Sequence, residues 1–257
     1  MATPTRCTIL WNNIADTKTY SIYSDGDSDY PATNLHDNDI HTVARTASAS
    51  AARYFMVDMG GSTSYDMIAI AGCNASRAVA MYAGSGAGSD PTAFANYAAM
   101  TFSSVTDCGV YYWSTTQTTR YVAVRFTNTN LSYCQIGELW IGMKMQFHVN
   151  PQIPIELIRN VETTELITGG GQRWSYENYK QRGYGLNFKE DFSPSGAGSF
   201  ASLDDMYYNL GNSLPFFFHL LPTDTNDPPL FVHNVSYDFS IDGKDKRPGR
   251  WTVEEEI

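Results

Sequence analysis

RYVAVRFTNTNLSYCQIGELWIG, Arg120–Gly142, reads as two apolar strands joined by a polar turn. In its first half Tyr121, Ala123 and Arg125 fall on one face and Val122, Val124 and Phe126 on the other, the period of two that a half-buried strand requires. Outward from it, YFMVDMG, YDMIAIAG and AVAMYAG are further short runs rich in β-branched and aromatic residues, each bounded by turn formers. Together they predict a β-sandwich. Between Ala83 and Thr106 the small residues and the pair Asp90-Pro91 predict a long connection with a helical turn at Thr92–Ala98. Long loops in compact folds commonly carry function or contacts.

Composition limits the functional classes. The 257 residues suit one large domain or two ordinary ones. A net charge of −10, without any Lys/Arg cluster, excludes a surface that tracks a phosphate backbone, so no nucleic-acid partner is expected. No apolar run approaches the ~20 residues of a membrane helix, and MATPTRCTILWNN lacks the basic and apolar regions of a leader. The expectation is a chain made in the cytosol, with no membrane insertion. Cys7, Cys73, Cys108 and Cys134 form no CxxC pair and are expected as reduced thiols. Aromatic residues are nearly as frequent as charged ones, 14% against 17%, which suits protein contacts or sugar stacking.

A boundary is expected in the proline-bearing stretch Met143–Pro154, giving domains 1–145 and 146–257. In the second, IPIELIRNVETTELITGGG predicts a strand leading to a Gly-rich turn at Gly169–Gly171, and WSYENYKQRGYGLNFKEDFS alternates in a hairpin-like way around Gly183–Gly185. One helix is predicted at Ser202–Leu210, with Ser202 as N-cap, Asp204 and Asp205 in the first turn, and Gly211 as the stop. PFFFHLLP, PLFVHNVSYDFSID and RWTVEEEI return to strands, the last two joined through GKDKRPG. The fold class is therefore all-β, a sandwich followed by a second β-rich domain with one short helix.

LHDNDIHT at Leu35–Thr42, YFMVDMGGSTSYDMIAIAG at Tyr54–Gly72 and the Glu-bearing strand IGELWIG resemble, in order and spacing, the discoidin family of galactose-binding-like jelly rolls, over about residues 5–145. The resemblance implies a structural calcium ion held by Asp37, Asp39, Thr42 and Glu138. Asn38 stands where the family has Gly, a tolerable exchange because Asn enters the left-handed region readily. Ala44 stands where the family usually has Trp. The other reading of these residues is side-chain turns at the two aspartates and a half-exposed glutamate. SDGDSD, Ser24–Asp29, lacks calcium-loop spacing and reads as a solvated turn. In the family, ligands meet loops at one end of the sandwich. Tyr30, Tyr82, Tyr97, Tyr111, Tyr112 and Trp113 offer stacking faces, with Tyr111, Tyr112 and Trp113 the leading ligand-binding candidates; as a strand segment they would instead cover a partner subunit.

The C-terminal layout is similar to β-rich tail proteins of long-tailed bacteriophages. That likeness implies a structural component of a virion, in the tail, tail tip, baseplate or neck, assembled in the host cytoplasm as a homo-oligomeric ring with other virion proteins. Phe216, Phe217 and Phe218 would form its interface, or else ordinary core. The competing class is a carbohydrate-binding protein that recognises host cell-surface glycans. No enzyme is expected, because G-x-S-x-G, HExxH and a P-loop are all missing from the sequence: ITGGGQRW lacks the Lys and Ser/Thr, and His36 and His41 read as surface loop residues.

Overall fold

The computed structural model describes residues 4–23, 25–48, 52–74, 80–103, 107–127, 131–147, 150–167, 172–188, 203–224, 227–239 and 249–256. In chain order the strands are β1 (Thr8–Leu10), β2 (Thr19–Tyr23), β3 (Ala44–Arg45), β4 (Arg53–Ala71), β5 (Ala80–Gly86), β6 (Ala98–Ala99), β7 (Thr101–Ser103), β8 (Cys108–Thr127), β9 (Gln135–Ile136), β10 (Glu138–Gly142), β11 (Met145–Gln146), β12 (Glu156–Ile167) and β13 (Arg173–Phe188). Helix α1 (Leu203–Leu210) follows, then β14 (Phe216–His219), β15 (Leu230–Phe239) and β16 (Gly249–Glu255). The protein is all-β with one short helix, apart from 3-10 turns at Ala32–His36 and Pro91–Ala93. The predicted Ser202 cap, the Gly169–Gly171 turn and most of the GKDKRPG turn lie outside the described residues.

Two compact units divide the chain. The first holds Met1–His148 and Phe216–Phe231, and its architecture follows from two unusually long strands. β4 and β8 pair antiparallel in three stretches, from Arg53↔Phe126 to Asp58↔Tyr121, from Thr63↔Thr119 to Tyr65↔Gln117 and from Met67↔Tyr112 to Ile70↔Gly109, with register breaks after Asp58 and after Tyr65. Gly60, at φ 76°, occupies the first break, where a left-handed residue costs glycine nothing. Each strand therefore serves both sheets of a sandwich. One sheet joins β2, the first half of β4, the second half of β8, then β5 and β6; the other joins β10, the second half of β4, the first half of β8, and β7. Alternation sends Phe55, Val57, Val122, Val124, Phe126 and Met81 inward from the first sheet, and Ile68, Ile70, Tyr111, Trp113, Leu139 and Ile141 inward from the second, into one core cluster. Two sheets with inner faces interdigitating are the sandwich expected from the sequence.

The opposite face of the second sheet is covered as well. β1 pairs with β11 and, through Thr8↔His219 to Leu10↔Phe217, with β14. The rings of Phe217 and Phe231 meet the Trp140 indole edge-on at 5.6 and 5.5 Å. Phe216, Phe217 and Phe218 are each at most 1% exposed. The expectation that they form an assembly interface is corrected: pairing with β1 turns them into the chain's own core, and the expected cut at 145 misses this return of the chain to the first unit. Nearby, the Tyr112 hydroxyl lies 2.8 Å from His219 Nδ1, and His219 Nε2 lies 2.9 Å from the Asp227 carbonyl. A carbonyl only accepts, so Nε2 carries the proton and Nδ1 accepts from Tyr112. Burial lowers the His219 pKa, which agrees with a neutral ring.

The second unit holds Val149–Ser193, Phe200–Pro215 and Val232–Ile257. Within it β16 sits between β13 and β15, and β12 pairs with β13 along Glu156↔Gly185 to Ile167↔Arg173. Asn234 is fully buried and saturated, accepting the Trp251 indole N–H at 2.8 Å and donating to the Gly211 carbonyl at 2.8 Å. Gly211 itself, at φ 59°, ends α1 in the left-handed conformation, as the sequence predicted. No helix among the described residues is long and apolar enough to cross a membrane. All four cysteines are buried and unbridged.

Replacing a fully buried Phe by Ala removes its transfer free energy and leaves a cavity. Phe217→Ala should therefore cost about 3–5 kcal/mol of unfolding free energy in a denaturant titration, at any protein concentration; a ring-interface residue would instead lower assembly and spare the stability of the isolated chain.

Candidate functional site

The loops that leave the sandwich at the start of β4 and the end of β8 are stitched to one another. Gly26 and Thr46 form an isolated bridge, the Asp27 N–H donates to the Arg45 carbonyl, and β3 pairs with β9 through Ala44↔Ile136 and Arg45↔Gln135. Asn74, following β4, donates to the Tyr133 carbonyl at 3.0 Å and accepts from the Gln135 N–H at 3.0 Å. Asp25 accepts from Ser48 and pairs with Arg53 at 2.9 Å. SDGDSD, apart from Ser24, which lies outside the described residues, is a turn exposed at Gly26, Ser28 and Asp29, whose first two aspartates nevertheless anchor arginines.

The loop read as a calcium site does meet the glutamate ninety-nine residues later in the chain. Asn38 adopts φ 63° and the Asp39 N–H then donates to Glu138 Oε1 at 3.1 Å and to Asp37 Oδ1 at 3.1 Å. Close approach depends on two glycines. A Cβ at Gly137 would fall 2.5 Å from the Ile40 carbonyl oxygen, and one at Gly72, whose φ is 65°, would fall 2.6 Å from the same atom. Glu138 is fully buried, not half-exposed, and its Oε2 accepts the Trp140 indole N–H at 2.8 Å. Burial first, and the neighbouring Asp37 carboxylate second, push its pKa up to about 8, against the pull of the Trp140 N–H. The Thr42 hydroxyl bonds the Asp37 carboxylate and lies 3.1 Å from the Asp39 carbonyl.

Asp37, Thr42 and Glu138 are therefore brought together. Asp39 differs, because it approaches Glu138 through its backbone N–H, while its carboxylate accepts the His41 N–H at 2.9 Å in a side-chain turn. Among the described residues no group of three or more His, Cys, Asp and Glu is placed to hold a metal. The remaining donors, two carboxyls, a hydroxyl and loop carbonyls, are all oxygens, the chemistry a calcium ion takes.

Tyr111, Tyr112 and Trp113, expected to present ligand-stacking faces, are 8%, 4% and 5% exposed. That expectation is corrected. Tyr111 and Trp113 meet edge-to-face at 4.9 Å inside the sandwich, and Tyr112 faces His219. The half-exposed aromatic residues lie elsewhere. At the stitched loop end, the Arg45 guanidinium sits 3.7 Å from the Tyr30 ring centroid and 4.6 Å from that of Tyr133, and Asp27 Oδ2 accepts from Arg45 Nε at 3.1 Å and Nη2 at 2.6 Å. The Arg45 hydrogen bonds hold the Asp27 carboxyl below its usual pKa. Two tyrosines thus clasp a neutralised ion pair whose side chains are 24% and 19% exposed. Tyr30 was among the sequence candidates; Arg45, Asp27 and Tyr133 were not, and nothing in a lone Arg or Asp marks such a pairing before the loops are placed.

No family model matches the sequence, and no curated protein matches it. Solved structures do. The chitosan-binding module 1 of a chitosanase/glucanase from Paenibacillus sp. IK-5 is 20% identical, with 51% of this chain and 98% of that one covered, at TM-score 0.40. The lectin domain of lectinolysin, complexed with Lewis B antigen, is 17% identical over 51% of this chain and 96% of its own, at TM-score 0.42. The family 32 carbohydrate-binding module of C. perfringens NanJ, in complex with galactose, is 14% identical over 52% and 98%, at TM-score 0.41.

The glycine contacts generate a direct test. Gly137→Ala places a methyl group against backbone that cannot swing aside, so it should lower stability by about 1–3 kcal/mol and shift the amide resonances of residues 38–42 in a heteronuclear NMR spectrum; unchanged resonances there would mean that the loop does not rest on Gly137.

Proposed function

We propose that the first unit is a carbohydrate-binding module whose loop end takes a sugar at Tyr30, Asp27, Arg45 and Tyr133. The observation that carries this reading is the clasped ion pair. Tyrosine rings suit the apolar C–H side of a pyranose, while a guanidinium and a carboxylate held side by side offer donors and acceptors to neighbouring sugar hydroxyls. Because Asp27 neutralises Arg45, the ligand suited to this place is an uncharged sugar. The reading assigns recognition without covalent turnover. Calcium would act structurally, held by Asp37, Thr42 and Glu138, supplying charge that lets a buried carboxyl ionise and fastening the loop to β10.

A second reading concerns the second unit. Leu157, Val161, Ile167 and Trp174, on the β12–β13 ribbon, are all more than half exposed. β12 is the outer strand of that unit among the described residues, and an exposed apolar edge strand invites another chain. This ribbon, rather than Phe216–Phe218, would dock to other virion proteins, with the sugar-binding unit directed to host glycans.

Screening the whole chain on an array of neutral and charged glycans tests the first reading. Binding of at least one neutral glycan is expected, with Arg45→Ala and Tyr30→Ala each weakening it about tenfold or more, the loss of roughly 1.4 kcal/mol or more; a bound glycan indifferent to both changes, or none bound, contradicts it. For calcium, a saturating concentration near 100 Kd should raise unfolding free energy by about 2.7 kcal/mol, and Glu138→Gln should remove that gain. An unmoved melting temperature in the unaltered chain would count against the ion.

A further inference from the structure

Among the described residues, one cation on the outer face of the first sheet, Arg125, has no acid paired with it. Cross-strand register places Tyr23 opposite Tyr54, Tyr54 opposite Arg125, and Arg125 opposite Tyr82, so four neighbouring strands contribute one continuous row. Three inter-strand spacings make it about 14 Å long. The neighbours of these residues along each strand, Phe55, Val124, Phe126 and Met81, point into the core, so the row lies on the opposite face, where Tyr23, Tyr82 and Arg125 are half-buried and Tyr54 is buried, with the Tyr97 ring 6.1 Å away. Arg125 lies with its guanidinium carbon 4.6 Å from the Tyr82 ring centroid and 4.4 Å from that of Tyr97. Its Nε is buried and has no hydrogen-bond partner.

Arg125 contrasts with four other cations of the first unit. Arg45, Arg53, Arg120 and Lys144 each hold an aspartate, Asp27, Asp25, Asp58 and Asp66 respectively. With ten more acids than bases in the chain, acids are not in short supply. Asp90, the acid beside the row, is occupied by the Thr92 backbone N–H and hydroxyl and by the Tyr23 hydroxyl.

The surroundings of Arg125 are rigid. The Tyr97 ring rests on Gly84, where a Cβ would come within 2.6 Å of it, and its hydroxyl donates to the Pro91 carbonyl at 3.1 Å. Phe94 rests likewise on Gly86, and Asn96 bonds the Ser85 N–H at 2.9 Å and hydroxyl at 2.8 Å. The long connection after Ala83 thus exists in the fold as a platform that fixes one wall of the row. Preorganised aromatic walls and a planar, uncompensated donor suit a ligand that brings its own carboxylate.

We infer that this row is a second binding site, separate from Tyr30 and Arg45, for an acidic oligosaccharide whose carboxylate pairs with Arg125 while its pyranose faces lie on Tyr82 and Tyr23. The inference shares with the proposed function only that the ligand is a saccharide. Calorimetry of the full chain with short oligomers of galacturonate, mannuronate and glucuronate, each beside its carboxyl-reduced neutral form and beside a sulfated oligosaccharide, tests it. At least one uronate oligomer should bind, its neutral form should not, and added salt should weaken the binding. Arg125→Gln should weaken it at least about tenfold, Tyr82→Ala should do so independently should the first variant fail to fold, and Arg45→Ala should leave it unchanged. Binding of none of the three uronates, equal binding of the neutral forms, preference for the sulfated ligand, or loss through Arg45→Ala would each overturn it.

Discussion

The two-fold pairing of β4 with β8 is the constraint on which the first unit rests. Each strand hydrogen-bonds its partner in both sheets, and two register breaks, one around Gly60 and one between Tyr65 and Met67, lie between the two ends of that pairing. A single error of register would turn Phe55, Val57, Val122 and Val124 away from the core while turning Arg125 into it. The core and the outward Tyr–Arg row are therefore two consequences of one pairing. It also brings the start of β4, the residues after its end and the end of β8 to linked loops, where Arg45, Arg53 and Asn74 fasten them.

Charge placement separates the faces that result. Around the stitched loops each arginine meets an aspartate, so the surface offered by Tyr30 and Tyr133 is locally neutral. Glu138 is the reverse case, an acid whose burial and acidic neighbour disfavour its charge. Arg125 is a third, a base held between rings with no acid paired to it among the described residues. The three ligand chemistries proposed above, an uncharged sugar, a hard cation and an acidic sugar, each rest on one of these local balances.

Much of the sandwich was legible in the sequence because alternation at Tyr121–Phe126 is a local signal, and the structure gives those residues the faces that alternation assigns. The meeting of Leu35–Thr42 with Glu138 was legible only through resemblance; the two glycines that permit it, Gly72 and Gly137, gave no signal by themselves. Tyr111, Tyr112 and Trp113 misled because an aromatic run does not say what will cover it. Here the opposite sheet covers two and His219 the third. Phe216–Phe218 misled for a related reason: their partner β1 is at the other end of the chain, and pairing over such a separation leaves no periodic trace. The Arg125 row required the register of four strands at once, although Tyr82 and Tyr97 were already visible as candidates.

Hydrogen exchange of the native protein tests the β4–β8 constraint most directly. If one pairing builds both sheets, the amides of residues 55–57 and 122–124 and those of 67–70 and 109–112 should exchange with a common opening free energy, equal to that of global unfolding and falling together in mild denaturant. Two separate opening energies, one for each half of the strand pair, would contradict the account.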